Sequence, residues 1–379
     1  MATRGNILLV ANWPSDVGYA WWLMENYWAC IAEHFAPAMQ THLVYPQIIT
    51  IPDTIAATDI VTVELDMRDH SAENLVRIRR YLEDNDLRYV YLSDHPSYSR
   101  FYVRLHNWGI ATIVVHDHTP GDRTTATGIK RLLKSIVQRL PCITADHFIA
   151  VTDFVRQRFT DVACIPAHKC SVARNGIHPI DTSSSDPQRV NRLFGIPEDG
   201  ITVITTGRAS AYKGIDFFIR CAHRMVIEQG QTSLYFLFCG DGPDMQRFRA
   251  LAGELGLGEH MVFAGKRSDV REILPSCDIG FHASQGEVGY SLSILEYMSA
   301  GLATIVSDRP STSAATQHDV NGLLYRRDDI DSACEMLERC LNGVDRRRLG
   351  EQASRDVRER YDINETNRQL LAALDEVFV

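Results

Sequence analysis

The chain has 379 residues, 45% of them hydrophobic and 23% charged, with a formal net charge of −9. At roughly 100–200 residues per domain that length accommodates two domains. The balance excludes a disordered or fibrous protein, and the acidity argues against a nucleic-acid binder. Residues 1–180 hold 17 Lys and Arg against 18 Asp and Glu, together with all five Trp. The acidity therefore sits in the second half, and the first half meets a polar or anionic surface more readily. Nine cysteines, an odd number without a C-x-x-C spacing, point to reduced thiols in a cytoplasmic protein. The apolar run near the N-terminus is too short for a signal-peptide core, and no run approaches the ~18 residues of a membrane span.

In chain order, "NILLVA" (6–11) reads as a buried strand and "GYAWWLMENYWACIAEHF" (18–35) as a helix whose aromatics belong mostly to the core. "HLVYP", "IVTVEL", "YVYLS" and "ATIVVH" follow as strands, with a helical stretch at 71–84 that places Leu75, Ile78 and Leu82 on one face. Its end, Asp84-Asn85-Asp86, reads as a solvated turn and not a metal motif. "GIKRLLKSIVQRL" (128–140) carries Ile129, Leu132, Leu133, Ile136, Val137 and Leu140 on one face, with Lys130, Arg131, Lys134 and Arg139 opposite or flanking. The expectation is that this stripe packs on the sheet while its charges are solvated. Peripheral contact with an anionic membrane is the other reading.

A second series opens with "ITVITTG" (201–207) and continues through "SLYFLFCG", "MVFAG", "DIGFHAS" and "LATIVSD". Strands alternating with helices predict an α/β protein with two Rossmann-like, doubly wound parallel sheets. The Pro-, Ser- and Asp-rich stretch 179–190 is the predicted linker. It separates an N-terminal domain (1–178) from a second domain (191–362), and a C-terminal helix (363–379) is free to pack back on the first. Two such domains facing across a cleft collect ligands at the carboxyl ends of their strands.

Three strand-end motifs carry candidate chemistry. In "GRASAYKG" (207–214), Arg208 offers a planar fork of donors and Lys213 a mobile point charge, a pair suited to a diphosphate. "CGDGPD" (239–244) turns tightly around two glycines. In "SQGEVGYSLSILEYMSAGLATIVSD" (284–308), Gly286 and Gly289 let the backbone approach a ligand ahead of a helix over 290–299. That helix N-terminus favours phosphate oxygens, and Glu296 within it needs polar partners such as ribose hydroxyls. In the first half, "TIVVHDHTPGDR" (112–123) puts His116 and Asp117 at a strand end; the H-x-H spacing of His116 and His118 permits a metal, but the sequence suggests no third ligand.

In this order and at these intervals the motifs resemble the retaining glycosyltransferases of family 4, which have the two-domain GT-B fold. The likeness covers nearly all of 200–325, extends over 110–180 through "ITADHFIAVTDFVRQRF" and "VARNGIHP", and is thin over 1–100. It implies that a nucleoside-diphosphate sugar is the donor and that neither a metal nor another cofactor is needed. It also implies that Arg208 and Lys213 hold the diphosphate, that Glu296 binds the ribose, and that the backbone of Gly289, Tyr290 and Ser291 contacts sugar and phosphate. The loop Gly265–Arg267 would border the base, and His116 would line the site near the transferred sugar.

Two departures from the family pattern stand out. The family's paired glutamates would put a carboxylate at Val288, whereas Glu287 lies one residue earlier; Glu287 is expected to reach the sugar nonetheless. The N-terminal loop has Gly18 alone where the family often has two glycines, and Gly18 is the residue expected near the diphosphate. Trp13, Tyr19, Asp94, His95 and Asp117 are the expected acceptor contacts. The acceptor is a glycan, a lipid-linked chain or a small molecule. The other readings are a non-catalytic partner subunit on the same fold, a sugar-nucleotide epimerase and a phosphorylase. Sugar, base and oligomeric state are open.

Overall fold

The computed structural model describes residues 5–16 and 21–378. Gly18 and Tyr19 therefore lie outside the described residues. The chain forms two compact units, one of Met1–Thr119, Arg123–Asn175 and Glu365–Val379, the other of Pro120–Asp122 and Gly176–Asn364. Each is an α/β unit on a wholly parallel sheet, as the alternation of strand and helix patterns predicts.

In the first unit the strands are β1 (Asn6–Val10), β2 (Thr41–Tyr45), β3 (Val61–Glu64), β4 (Leu87–Ser93), β5 (Thr112–Asp117), β6 (His147–Ala150) and β7 (Cys170–Val172). Their order across the sheet is β3-β2-β1-β4-β5-β6-β7. Ile7, Leu8 and Leu9 of β1 are wholly buried, which is why its sequence is a continuous apolar run and not an alternating one. The helix Trp22–Phe35 turns Leu23, Tyr27, Trp28, Ile31 and Phe35 inward, so of the aromatic cluster Tyr27 and Trp28 belong to the core, whereas Trp21 and Trp22 are half-buried and Trp13 is exposed. The helix Ile363–Asp375 brings Asn367 to Asn26 (2.9 Å), and the Phe378 ring beyond it packs at a tilt against Phe35 and Tyr89.

In the second unit the strands are β8 (Ile201–Thr206), β9 (Leu234–Cys239), β10 (Met261–Gly265), β11 (Ile279–His282), β12 (Ala303–Ser307) and β13 (Leu323–Tyr325), ordered β10-β9-β8-β11-β12-β13. Phe218, Phe236, Phe238 and Phe281 fill its core. The stretch 179–190 packs on this unit: Ile180 is buried, and its N–H donates to Ser299 Oγ at 2.7 Å.

Both sheets reverse their winding direction once, at β1/β4 and at β8/β11. Loops leaving neighbouring strands there diverge to opposite faces and leave a crevice at the carboxyl ends. The loops after β8 and β11 are therefore neighbours although about 75 residues separate them in sequence.

One expectation fails. The helix Gly128–Val137 has no buried residue, and Ile129, Leu132, Leu133 and Ile136 are all exposed. Its polar side faces the protein instead: Arg131 Nη1 donates to Asp161 O (3.1 Å) and Lys134 Nζ to Val162 O (3.2 Å). The carbonyl-rich turn beneath it accepts hydrogen bonds, and the apolar stripe is left outward.

Candidate active site

In the second unit the site is built on three interlocked loops. Gly207 ends β8, and Gly240 ends β9 so close to it that a Cβ on Gly240 would stand 1.8 Å from Gly207 O. Ala209 N–H donates to Asp241 O (2.9 Å), and Ala211 N–H donates to the Asp244 carboxylate (2.7 Å). These bonds shape the loop that leaves Arg208 exposed and turns Lys213 inward. Gly214 follows with φ +69°, and a Cβ there would meet Ala283 O at 2.1 Å. Only glycine lets the β8 loop approach the β11 loop this closely.

The β11 loop answers Lys213 with a carboxylate. Lys213 Nζ donates to Glu287 Oε1 at 2.6 Å, and His282 Nε2 lies 3.5 Å from the same oxygen. Burial works to raise the Glu287 pKa, but Lys213 and His282 overcome it and hold the carboxyl at about 2. His282 Nε2 also stands 3.0 Å from Ser291 Oγ, which accepts from Ile294 N–H and caps the helix Leu292–Ser299. The helix therefore starts two residues later than the sequence pattern suggests, because Ser291 is its cap. Glu287 N–H and Gly289 N–H both donate to Ser311 O (3.1 and 2.9 Å). That clamp leaves Val288 buried and Glu287 against Lys213.

The same helix is seated by a glycine. Gly280 of β11 lets the Tyr297 ring lie where a Cβ would come within 2.5 Å of it. Tyr297 Oη then accepts from Thr206 N–H (2.7 Å) at the end of β8. Glu296, the preceding residue, is half-buried with Arg271 Nη1 at 3.4 Å. Burial holds its pKa above the usual carboxylate range, with Arg271 pulling the other way. Gly289 takes φ +111°, and the Tyr290 ring packs edge-on against Tyr361 (5.2 Å). Gly265 O accepts from Gly240 N–H (2.9 Å). Arg267 grips Asp269 through Nε and Nη2 (2.7 and 2.8 Å) and drives that carboxyl well below its usual range.

The first unit holds a second cluster at the ends of β4 and β5. His116 is wholly buried, with Tyr91 Oη on its Nδ1 and no partner for Nε2 among the described residues. Burial, reinforced by His118, pushes its pKa well below 6.5. The imidazole is therefore neutral, one nitrogen bonded to Tyr91 and the other without a partner. Asp94, at φ +55°, accepts from His118 N–H, and burial raises its pKa. His95 Nδ1 is 3.0 Å from Ser93 O. Asp117 gives one oxygen to Arg158 Nη2 (3.0 Å) and the other to Thr119 N–H (2.8 Å). Trp13 is half exposed, with the Arg68 guanidinium 5.9 Å from its ring centre. Among the described residues no group of three His, Cys, Asp or Glu side chains is arranged to hold a metal ion.

Sequence reasoning missed three participants. His282 stands at the end of a strand, and the rule that singled out His116 could have found it. Arg158 and Arg271 lie in helical turns with no local signal; only their long-range carboxylate partners reveal them.

Two doubly wound parallel sheets, with the basic and acidic groups of the second gathered at its switch point, define the GT-B class of glycosyltransferase folds. Comparison with known proteins agrees. Residues 24–181 match the family model "Glycosyltransferase Family 4" and residues 200–343 match "Glycosyl transferases group 1". An uncharacterized glycosyltransferase of Methanocaldococcus jannaschii is 26% identical over 220 residues, 56% of this chain and 55% of that protein. The D-inositol 3-phosphate glycosyltransferase of Acidothermus cellulolyticus is 25% identical over 189 residues, 48% of this chain and 42% of that protein. The chain thus spans about half the length of the curated relatives it matches. Among solved structures, a glycosyltransferase of Rickettsia africae superposes with a TM-score of 0.78 at 14% identity, covering 98% of both chains. HepE of Anabaena, solved with UDP, superposes with 0.76 at 16% identity, covering 98% of this chain and all of that one. Each half of the chain thus matches a glycosyltransferase family model, and the fold is that of the GT-B class.

Proposed function

We propose that the protein transfers a hexose-type sugar from a nucleoside-diphosphate sugar to an acceptor hydroxyl, with retention at the anomeric carbon, in the assembly of a glycan. The observation that carries this reading is the Lys213–Glu287 pair at the β8/β11 switch point, with Arg208 exposed on the same loop as Lys213. Arg208 and Lys213 hold the donor diphosphate and stabilise the charge that grows as it leaves. The capped N-terminus of the helix Leu292–Ser299 adds its dipole. Glu296 binds the ribose, and Glu287, despite its register, supplies the carboxylate nearest the sugar. The bond from the anomeric carbon to the diphosphate breaks, the departing oxygen takes the acceptor's proton, and the new glycosidic bond forms on the same face. The cationic side chains meet the diphosphate charge, so the reaction calls for no metal and no further cofactor. Neighbouring structures solved with UDP and with UDP-glucose support a nucleotide-sugar donor.

His116 is proposed as a neutral hydrogen-bonding group near the transferred sugar, with Asp94 and His95 toward the acceptor. Asp117 has a more structural part, since Arg158 and Thr119 already occupy it. The test is donor turnover with a panel of nucleotide sugars. Arg208→Ala should nearly abolish turnover and leave the melting temperature unchanged, because Arg208 is exposed. Full activity in that variant refutes the assignment. Nucleotide binding without any turnover in the parent protein marks a non-catalytic subunit instead.

A further inference from the structure

We propose that the outward face of the helix Gly128–Val137, continued by Leu140, docks on an anionic lipid bilayer. The face is an apolar stripe at helical spacing: Ile129, Leu132, Leu133 and Ile136 fall at i, i+3, i+4 and i+7. They are 73%, 60%, 56% and 50% exposed. A helix on a water-soluble surface normally turns such a stripe inward. This one is anchored the other way round, since Arg131 and Lys134 bond to the Asp161 and Val162 carbonyls on its inner side. The orientation is thus fixed by specific hydrogen bonds.

Charge selects the occupant. From Arg123 to Ala145 the chain has five cations, Arg123, Lys130, Arg131, Lys134 and Arg139, and no Asp or Glu, although the whole chain is at −9. Aliphatic side chains flanked by cations, with no acid in the segment, match an anionic membrane interface. There the stripe enters the acyl boundary, and Lys130 and Arg139, exposed on its flanks, meet the headgroups. No helix among the described residues is long and apolar enough to cross a membrane, so the contact is peripheral.

The experiment is co-sedimentation of the full chain with vesicles of phosphatidylglycerol and phosphatidylcholine in equal parts, and with phosphatidylcholine alone. The protein should pellet with the first and much less with the second, and added salt should release it. The double substitution Leu132→Ser/Ile136→Ser should weaken binding by about tenfold or more, because burial of apolar area sets the affinity. Lys130→Glu should weaken it several-fold on the anionic vesicles only. Melting temperatures should not move, since these side chains are exposed. Failure of the parent protein to bind the anionic vesicles overturns the proposal, as does parent-like binding by the double variant. A concentration-dependent dimer that the double variant abolishes, without vesicle binding, also overturns it and assigns the face to self-association. Turnover with a soluble acceptor should be the same in all variants, so this outcome is separable from the donor-site assignment.

Discussion

Replacing Lys213 by Met removes the cation that faces Glu287 and leaves a carboxylate buried with His282 as its nearest partner. Glu287 is held at about 2 against an ordinary 4.5. Each tenfold change in proton affinity is worth about 1.4 kcal/mol, so the difference amounts to ~3 kcal/mol. His282 shares in that shift and remains in the variant, and the Lys213 side chain is 30% exposed, so water screens part of its share, leaving about 1–2 kcal/mol for the variant to lose at neutral pH. A depressed carboxylate pKa stabilises the fold above 4.5, and that contribution fades as the pH falls toward about 2. Urea unfolding of the second unit, followed at pH 7 and through the acid range, should therefore show two things. Lys213→Met should be weaker by about 1–2 kcal/mol at pH 7, and its stability should fall less steeply between 4.5 and 2 than the parent's. Lys213→Met/Glu287→Gln should regain most of the loss, because no buried charge is left unpaired. If Lys213→Met keeps both the parent stability and the parent acid slope, the ion pair does not hold the two loops together.

Three further outcomes follow from the geometry. Gly214→Ala should cost about 2–4 kcal/mol in a denaturant melt, since it forces a left-handed alanine against Ala283 O; an unchanged midpoint would contradict the close loop approach. Arg158→Ala should cost about 3 kcal/mol by leaving Asp117 without its cation, and Arg158→Lys should recover much of it, because one guanidinium nitrogen makes the contacts to Asp117 and both Thr119 oxygens and an ammonium can take its place. His116 should show no imidazole titration near pH 6.5 by NMR, as burial keeps it neutral far below that value. Because the unfolded chain takes up that proton first, the group should also lower stability as the pH drops below 6.5; a ring that titrates normally would show that His116 is open to water.

The architecture was legible because parallel strands buried on both faces leave continuous apolar runs in the sequence. β1, β8 and β9 could be read directly, and so could the turns at Gly207 and Gly240 that follow two of them. The motif order around Arg208, Lys213 and Glu296 carried the resemblance to family 4. The one-residue offset of Glu287 was visible too, but its consequence was not. Whether the carboxylate or Val288 turns toward Lys213 depends on the paired bonds from Glu287 and Gly289 to Ser311 O, and Ser311 is more than twenty residues away.

Local sequence, then, determined where strands, turns and amphipathic helices form, since each of these is a matter of near-neighbour spacing and side-chain size. Tertiary structure decided which groups meet. The order of strands in the sheet brought Lys213 to Glu287 and Arg158 to Asp117, pairs that no local pattern links. It also decided which face of the helix Gly128–Val137 looks outward. The stripe was plain from the sequence, but a periodic pattern defines two faces without saying which one finds a partner. The Asp161 and Val162 carbonyls supplied partners for the cations, and the apolar face was left to the solvent.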